Sequence, residues 1–184
     1  MKSYVSVAFV CLLCISAASC PPQPDPVARS GSNMYAGSAR WAYELAEPRF
    51  SVLLPADAVF FYITGSMVGQ DGRLAANRGV WTFRFWSPSQ QKSVGVDVDY
   101  NGEVRHSILT TDIDPTDNRS PIPDGWLNST DIYAIACPTC GAAGFGAASL
   151  NYADPSYGNG EAVWILFNLD NTMVRWDGVP VSGP

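Results

Sequence analysis

The chain has 184 residues, 47% of them hydrophobic and 12% aromatic. That is the size of one domain with a real core, and it argues against disorder. Seventeen acidic against 11 basic residues give a formal net charge of −6, a field that repels phosphate backbones and excludes nucleic acid as a partner.

The first twenty residues read as an address. Lys2 gives a short positive start, and Val5 to Ala18 is apolar except for Ser6 and Ser16. The run is too short to span comfortably as a mature membrane helix and has the shape of an export signal. It closes as Ala17-Ala18-Ser19-Cys20, which resembles a bacterial lipobox. The resemblance implies that residues 1–19 are removed and that Cys20 becomes the lipid-bearing first residue, although Ala17 stands where the lipobox favours leucine. The alternative is ordinary cleavage after Ala18, with Cys20 left as a thiol. Cys11 and Cys14 leave with the signal in either case. Residues 20–36, beginning "CPPQPDPVARSGSN", read as a tether rich in proline and small polar residues. Residues 37–184 remain as a single domain.

Within it, "SARWAYELAEPRF" predicts a helix, with Ser38 as cap, Trp41 and Leu45 on one face, and Pro48 as its stop. "AVFFYITGSMV" predicts a buried strand, followed by an Asp71-Gly72 turn and a polar loop. "GVWTFRFW" alternates, with Trp81, Phe83 and Phe85 inward and Thr82 and Arg84 outward. "SVGVDVD" repeats the pattern through Val94, Val96 and Val98. Asn101-Gly102 predicts a tight hairpin turn into "EVRHSIL". A Pro- and Asp-rich connection from Thr110 to Pro123 comes next. "WLNSTDIYAIA" predicts a second helix, capped by Asn128 or Ser129, with Asp131 in its first turn and Ile132, Ile135 and Ala136 as its apolar face. A strand near Ala148 to Tyr152 and a hairpin, "EAVWILFN" and "TMVRWDG" around Asp170-Asn171, complete the chain. The expected fold class is α+β, an antiparallel β-sheet meander with two helices packed on one face.

The pattern "ITGSMVGQDGR…GVWTFRFWSPSQQKSVGVDVDYNGEV…WLNSTDIYAIA" resembles small exported bacterial domains of the PepSY-like or cystatin-like kind. The likeness covers roughly Ser38 to Trp176. It implies a non-catalytic role in inhibiting or assisting peptidases, or in regulating the cell envelope. The Cys-Pro-Thr-Cys insertion after the second helix departs from that pattern.

His106, the single histidine, lies on a strand with no G-x-S-x-G elbow to serve, and reads as a half-exposed strand residue. Glu44 and Glu47 read as a solvated helix face. The glycines of "GAAGFG" match neither a P-loop nor a dinucleotide fingerprint. Asp97, Asp99, Asn101 and Gly102 imitate the opening of an EF-hand loop, but Ile108 stands where its bidentate glutamate belongs. Asp112, Asp114 and Asp117 form an acidic loop. No metal and no cofactor are expected. Trp86 falls opposite Phe85 by parity, where it can anchor a partner or lie beneath the Pro121-Ile122-Pro123 connection.

"IYAIACPTCGAAGFG" carries Cys137 and Cys140, a spacing that serves redox dithiols, zinc knuckles and plain disulfides. A redox cysteine is activated at a helix N-terminus, whereas Cys137 falls at a predicted C-terminus. A closed zinc site needs four ligands, and no second knuckle exists. A structural Cys137–Cys140 disulfide is the expectation. The functional expectation is a lipid-anchored cell-envelope domain without catalysis. Its N-terminal lipid engages a membrane, inner or outer, and its folded part engages a protein or peptide. An exported thiol-disulfide oxidoreductase and a purely structural lipoprotein are the alternatives.

Overall fold

The computed structural model describes residues 36–109, 120–152 and 160–181. The signal, Cys20, nearly all of the tether, and Asp112, Asp114 and Asp117 lie outside the described residues. The elements in chain order are α1 (Ala39–Leu53), β1 (Val59–Val68), β2 (Val80–Ser87), β3 (Lys92–Asp99), β4 (Val104–Leu109), α2 (Ser129–Ala136), β5 (Gly146–Tyr152), β6 (Ala162–Leu166) and β7 (Thr172–Arg175).

The strands form one seven-stranded sheet in the order β4-β3-β2-β1-β5-β6-β7, antiparallel at every pairing. The α+β expectation is met. β1 lies in the middle, with one meander, β2 to β4, on one side. The chain then returns through α2 to lay β5 against the other side of β1, and a second meander runs outward to β7. The predicted alternation is real. Trp81, Phe83 and Phe85 are buried, as are Val94, Val96 and Val98, while Thr82 and Arg84 are only partly so. Side chains of one parity fill the core, and the pleat requires the other parity to point away from it.

α1 lies against β2, β3 and β4, and α2 lies against β7 and α1. The buried positions of α1 are Ala39, Ala42 and Ala46. Trp41 and Leu45, the face expected from the sequence, are only partly buried at the rim of the core. Three alanines at helical spacing let the helix backbone approach the sheet closely. Tyr43 then meets Phe50, Phe83 and Trp126 edge-on at ring distances of 5.2, 5.4 and 5.9 Å.

Pro48 does not stop α1, which runs five residues further to Leu53. Proline removes the N–H that would bond to the Glu44 carbonyl, at a cost that isolated helices rarely bear. Here tertiary contacts offset it. The Phe50 ring packs 4.9 Å from Phe85, and the Leu54 N–H closes the helix on the Phe50 carbonyl at 2.9 Å.

The two helix starts are joined. Ser38 caps α1 as expected, its hydroxyl accepting from the Trp41 N–H at 3.3 Å. The two donors before it are satisfied from the other helix. The Ser129 hydroxyl accepts from the Ala39 N–H, and the Asn128 side-chain oxygen accepts from the Arg40 N–H, both at 3.0 Å. Asn128 is therefore the N-cap residue of α2 by position but makes no side-chain cap bond to it. It caps α1 instead. The Ser129 hydroxyl also donates to the Gly72 carbonyl at 2.6 Å. Ile135 is 40% exposed rather than part of the buried face of α2, which consists of Ser129, Ile132 and Tyr133.

Candidate functional site

Cys137 and Cys140 form a disulfide. Cys137 is the C-cap of α2, its N–H donating to the Tyr133 carbonyl at 2.8 Å. The negative end of the helix therefore faces the sulfur, which disfavours a thiolate. The glycine- and alanine-rich passage beyond is held by Asn168. Its side-chain nitrogen donates to the carbonyls of Val68 (3.0 Å) and Gly144 (2.9 Å), and its side-chain oxygen accepts from the Tyr133 hydroxyl at 2.6 Å. Burial pushes the Tyr133 phenol well above its usual pKa, so it remains a donor throughout the working pH range.

The closed loop is short, so the disulfide should contribute about 2 kcal/mol or less. Replacing both cysteines, Cys137→Ser with Cys140→Ser, is expected to lower Tm by a few degrees, read by calorimetry. Efficient insulin reduction by the wild type, lost in that double variant, would assign the pair to redox chemistry instead.

The other candidates are dispersed. His106 is exposed on β4, and Glu44 and Glu47 are exposed on α1. Among the described residues no group of three His, Cys, Asp or Glu side chains is placed to hold a metal ion. The EF-hand imitation at Asp97 and Asp99 has a local explanation. Asp97 accepts from the Thr82 hydroxyl at 2.6 Å. Asp99 accepts from the backbone N–H groups of Asn101 (2.8 Å) and Glu103 (3.0 Å). Asp97 thus ties β3 to β2, and Asp99 shapes the β3–β4 hairpin, where a short acceptor suits a turn. Trp86 is half-buried, and its strand neighbours are Val59 and Ser93. Ile122 of the Pro121-Ile122-Pro123 connection is buried in the core cluster.

Two surface features emerge that the sequence did not single out. The first is a sheet edge. At the β7 side the edge is covered by the chain's own end, where Val174 bridges to Pro180 and the Val181 N–H donates to the Met173 carbonyl. At the β4 side, no strand among the described residues pairs with the outer edge. The Asp99 N–H donates to the Glu103 carbonyl at 3.2 Å. Alternation along an antiparallel ladder then turns the N–H and C=O of Val104 and His106 away from β3. Arg49 of α1 reaches the Val104 carbonyl at 3.4 Å, as that geometry requires.

The second feature is a cleft of about 340 Å³ between residues 77–80 and the β3–β4 hairpin. It is lined by Asn77, Arg78, Asp97, Asp99, Tyr100, Asn101, Glu103 and Arg105, with Gly79 and Val80. The Arg105 guanidinium meets the Glu103 carboxylate at two points, 2.9 and 2.6 Å. That hydrogen-bonded pairing holds the Glu103 carboxyl below, and Arg105 above, their usual pKa values. Both are exposed, so the pair contributes little to stability.

No protein-family model matches this chain, and neither a curated protein nor a solved structure matches it.

Proposed function

We propose that the protein is an exported, lipid-anchored binding domain that acts without catalysis. It captures an extended peptide or a strand of a protein partner by adding it to the outer edge of β4. The observation that supports this reading is the outer edge of β4 (Val104–Leu109), which no strand among the described residues pairs, with the Val104 N–H and both His106 backbone groups turned outward; the Val104 carbonyl is held by Arg49. An extended segment can satisfy those groups through main-chain hydrogen bonds, the mode known as β-strand addition. The Pro-rich stretch after Cys20 supports the anchored half of the proposal. It is a spacer that lets a membrane-held domain reach a partner. Two acyl chains on one cysteine anchor stably where a single chain is marginal. The likeness to PepSY-like and cystatin-like exported domains points to a partner among peptidases or their regulators.

The test uses the full-length lipoprotein in envelope extracts. His106→Pro removes one outward N–H and leaves the β3–β4 ladder bonds intact. A partner that co-purifies with the wild type and falls at least tenfold with His106→Pro, at unchanged Tm, is the expected result. Equal capture by both proteins would remove the edge from the proposal. Intact mass decides the anchor: a mature chain beginning at unmodified Ser19 would end it.

A further inference from the structure

We infer that the cleft between residues 77–80 and the β3–β4 hairpin binds a neutral sugar unit. The inference is independent of the edge reading, because His106 is not among the lining residues.

Size comes first. A volume of about 340 Å³ lies at the lower end of small-ligand sites, which run from about 300 to 1,000 Å³. Charge comes next. The lining holds the carboxylates Asp97, Asp99 and Glu103 and the cations Arg78 and Arg105, so it is nearly balanced and slightly acidic. Arg105 is engaged by Glu103. Arg78 is the remaining cation, and among the described residues it makes no ion pair. A phosphate would meet the Glu103–Arg105 pair, two further carboxylates and one guanidinium, a net negative lining that disfavours it. Among the described residues no group of three His, Cys, Asp or Glu side chains is placed here to hold a metal ion.

What remains is a neutral ligand rich in hydroxyls, and the lining suits one. Asp97 and Asp99 each use one carboxylate oxygen, Oδ1, Asp97 on the Thr82 hydroxyl of β2 and Asp99 within the hairpin, which leaves Oδ2 of each as an acceptor. Asn77 and Asn101 add side-chain amides, each both donor and acceptor, and Arg78 adds a planar fork of donors. Such groups engage pairs of neighbouring hydroxyls. Tyr100 supplies the apolar element. It is 39% exposed, and its N–H donates to the Gly79 carbonyl at 3.2 Å, so the backbone beneath the ring is fixed. A phenol ring presented in this way is a flat surface on which the C–H face of a pyranose can stack. Asn77 itself has φ +58°, a left-handed conformation that holds the loop in place.

The test is an NMR titration of the full chain with chitotriose, cellotriose and maltotriose, each alone, followed by calorimetry on whichever binds. The expected result is saturable shifts confined to the amides of residues 77–80 and 97–105. Tyr100→Ala should weaken binding at least tenfold, and Tyr100→Phe should stay within about threefold. Asn77→Gly keeps the left-handed backbone, removes the amide, and should weaken binding about fivefold. It serves as the second variant should Tyr100→Ala lose the fold. Absence of saturable shifts with all three sugars would overturn the inference. So would binding that neither Tyr100→Ala nor Asn77→Gly weakens, or saturable shifts at these amides with inorganic phosphate or calcium but not with sugar.

Discussion

Ser129→Ala is expected to destabilise the fold by about 2–4 kcal/mol. A serine at a helix start ordinarily contributes about 1 kcal/mol as a local cap. Ser129 serves two other elements. Its hydroxyl accepts from the Ala39 N–H at the start of α1 and donates to the Gly72 carbonyl in the β1–β2 connection. Ser129, Ala39 and Gly72 are all buried, so water cannot replace the hydroxyl without opening the structure. Alanine therefore leaves one buried donor and one buried acceptor without partners, each costing about 1–3 kcal/mol. Urea denaturation should show a lower midpoint at unchanged slope. Hydrogen exchange should show lost protection at the Ala39 amide first. Ser38→Ala removes only the 3.3 Å bond to the Trp41 N–H and should cost about 1 kcal/mol or less. Equal losses for the two variants would mean that the link between the helices carries no special weight.

This junction also marks where the sequence stops being legible. Ser38 could be read as a cap because its acceptor and its donor are three residues apart. Asn128 and Ser129 looked like caps for the helix they begin, because nothing local says that their oxygens face donors 88 and 90 residues away. The strands were legible for the opposite reason. Burial on one face writes itself into every second residue, as in Trp81, Phe83 and Phe85. Asp170 and Asn171 were rightly read as a turn, and both have positive φ, 52° and 59°. At the other hairpin only Gly102 is left-handed, at +79°, because the Asp99 carboxylate takes the Asn101 and Glu103 N–H groups. That local service produced the carboxylate spacing that resembled a calcium loop. Pro48 misled because its penalty is local and its compensation, Phe50 on Phe85, is not.

The surface features were less legible still. Whether a strand is an edge depends on sheet order. The placing of β5 beside β1 is decided by a return of the chain that no period in the sequence records. The cleft is made by two loops about twenty residues apart, brought together by the register of β2 on β3, which sets Val80 opposite Asp99. Tyr100 beside an Asn-Gly turn was the available signal, and it gained meaning only when Gly79 proved to be its backbone partner.

Trp81 should be the position least tolerant of truncation, and Gly65 the reason. The Trp81 ring is fully buried and meets Trp164 edge-on at 6.3 Å, and its Nε1 donates to the Gly37 carbonyl at 2.9 Å. Gly65 lies opposite it on β1. A Cβ added there would fall 2.4 Å from the ring and 2.6 Å from Val68. The indole thus occupies the space that a side chain on β1 would take. Trp81→Ala should cost about 3–5 kcal/mol for the cavity, and more for the Gly37 carbonyl left without its donor. That approaches the whole stability of an ordinary domain, about 5–15 kcal/mol, so this variant is expected to be largely unfolded at 37 °C. A milder pair makes the mechanism measurable. Gly65→Ala should destabilise by about 1–3 kcal/mol through overpacking, and Trp81→Leu by a comparable or larger amount. If the indole is the obstacle, Gly65→Ala should cost at least 1 kcal/mol less in the Trp81→Leu background than in the wild type, with the remainder set by Val68. Urea titration of the four proteins gives that coupling directly. Strictly additive losses would show that Gly65 is required for a reason other than the tryptophan across the strand.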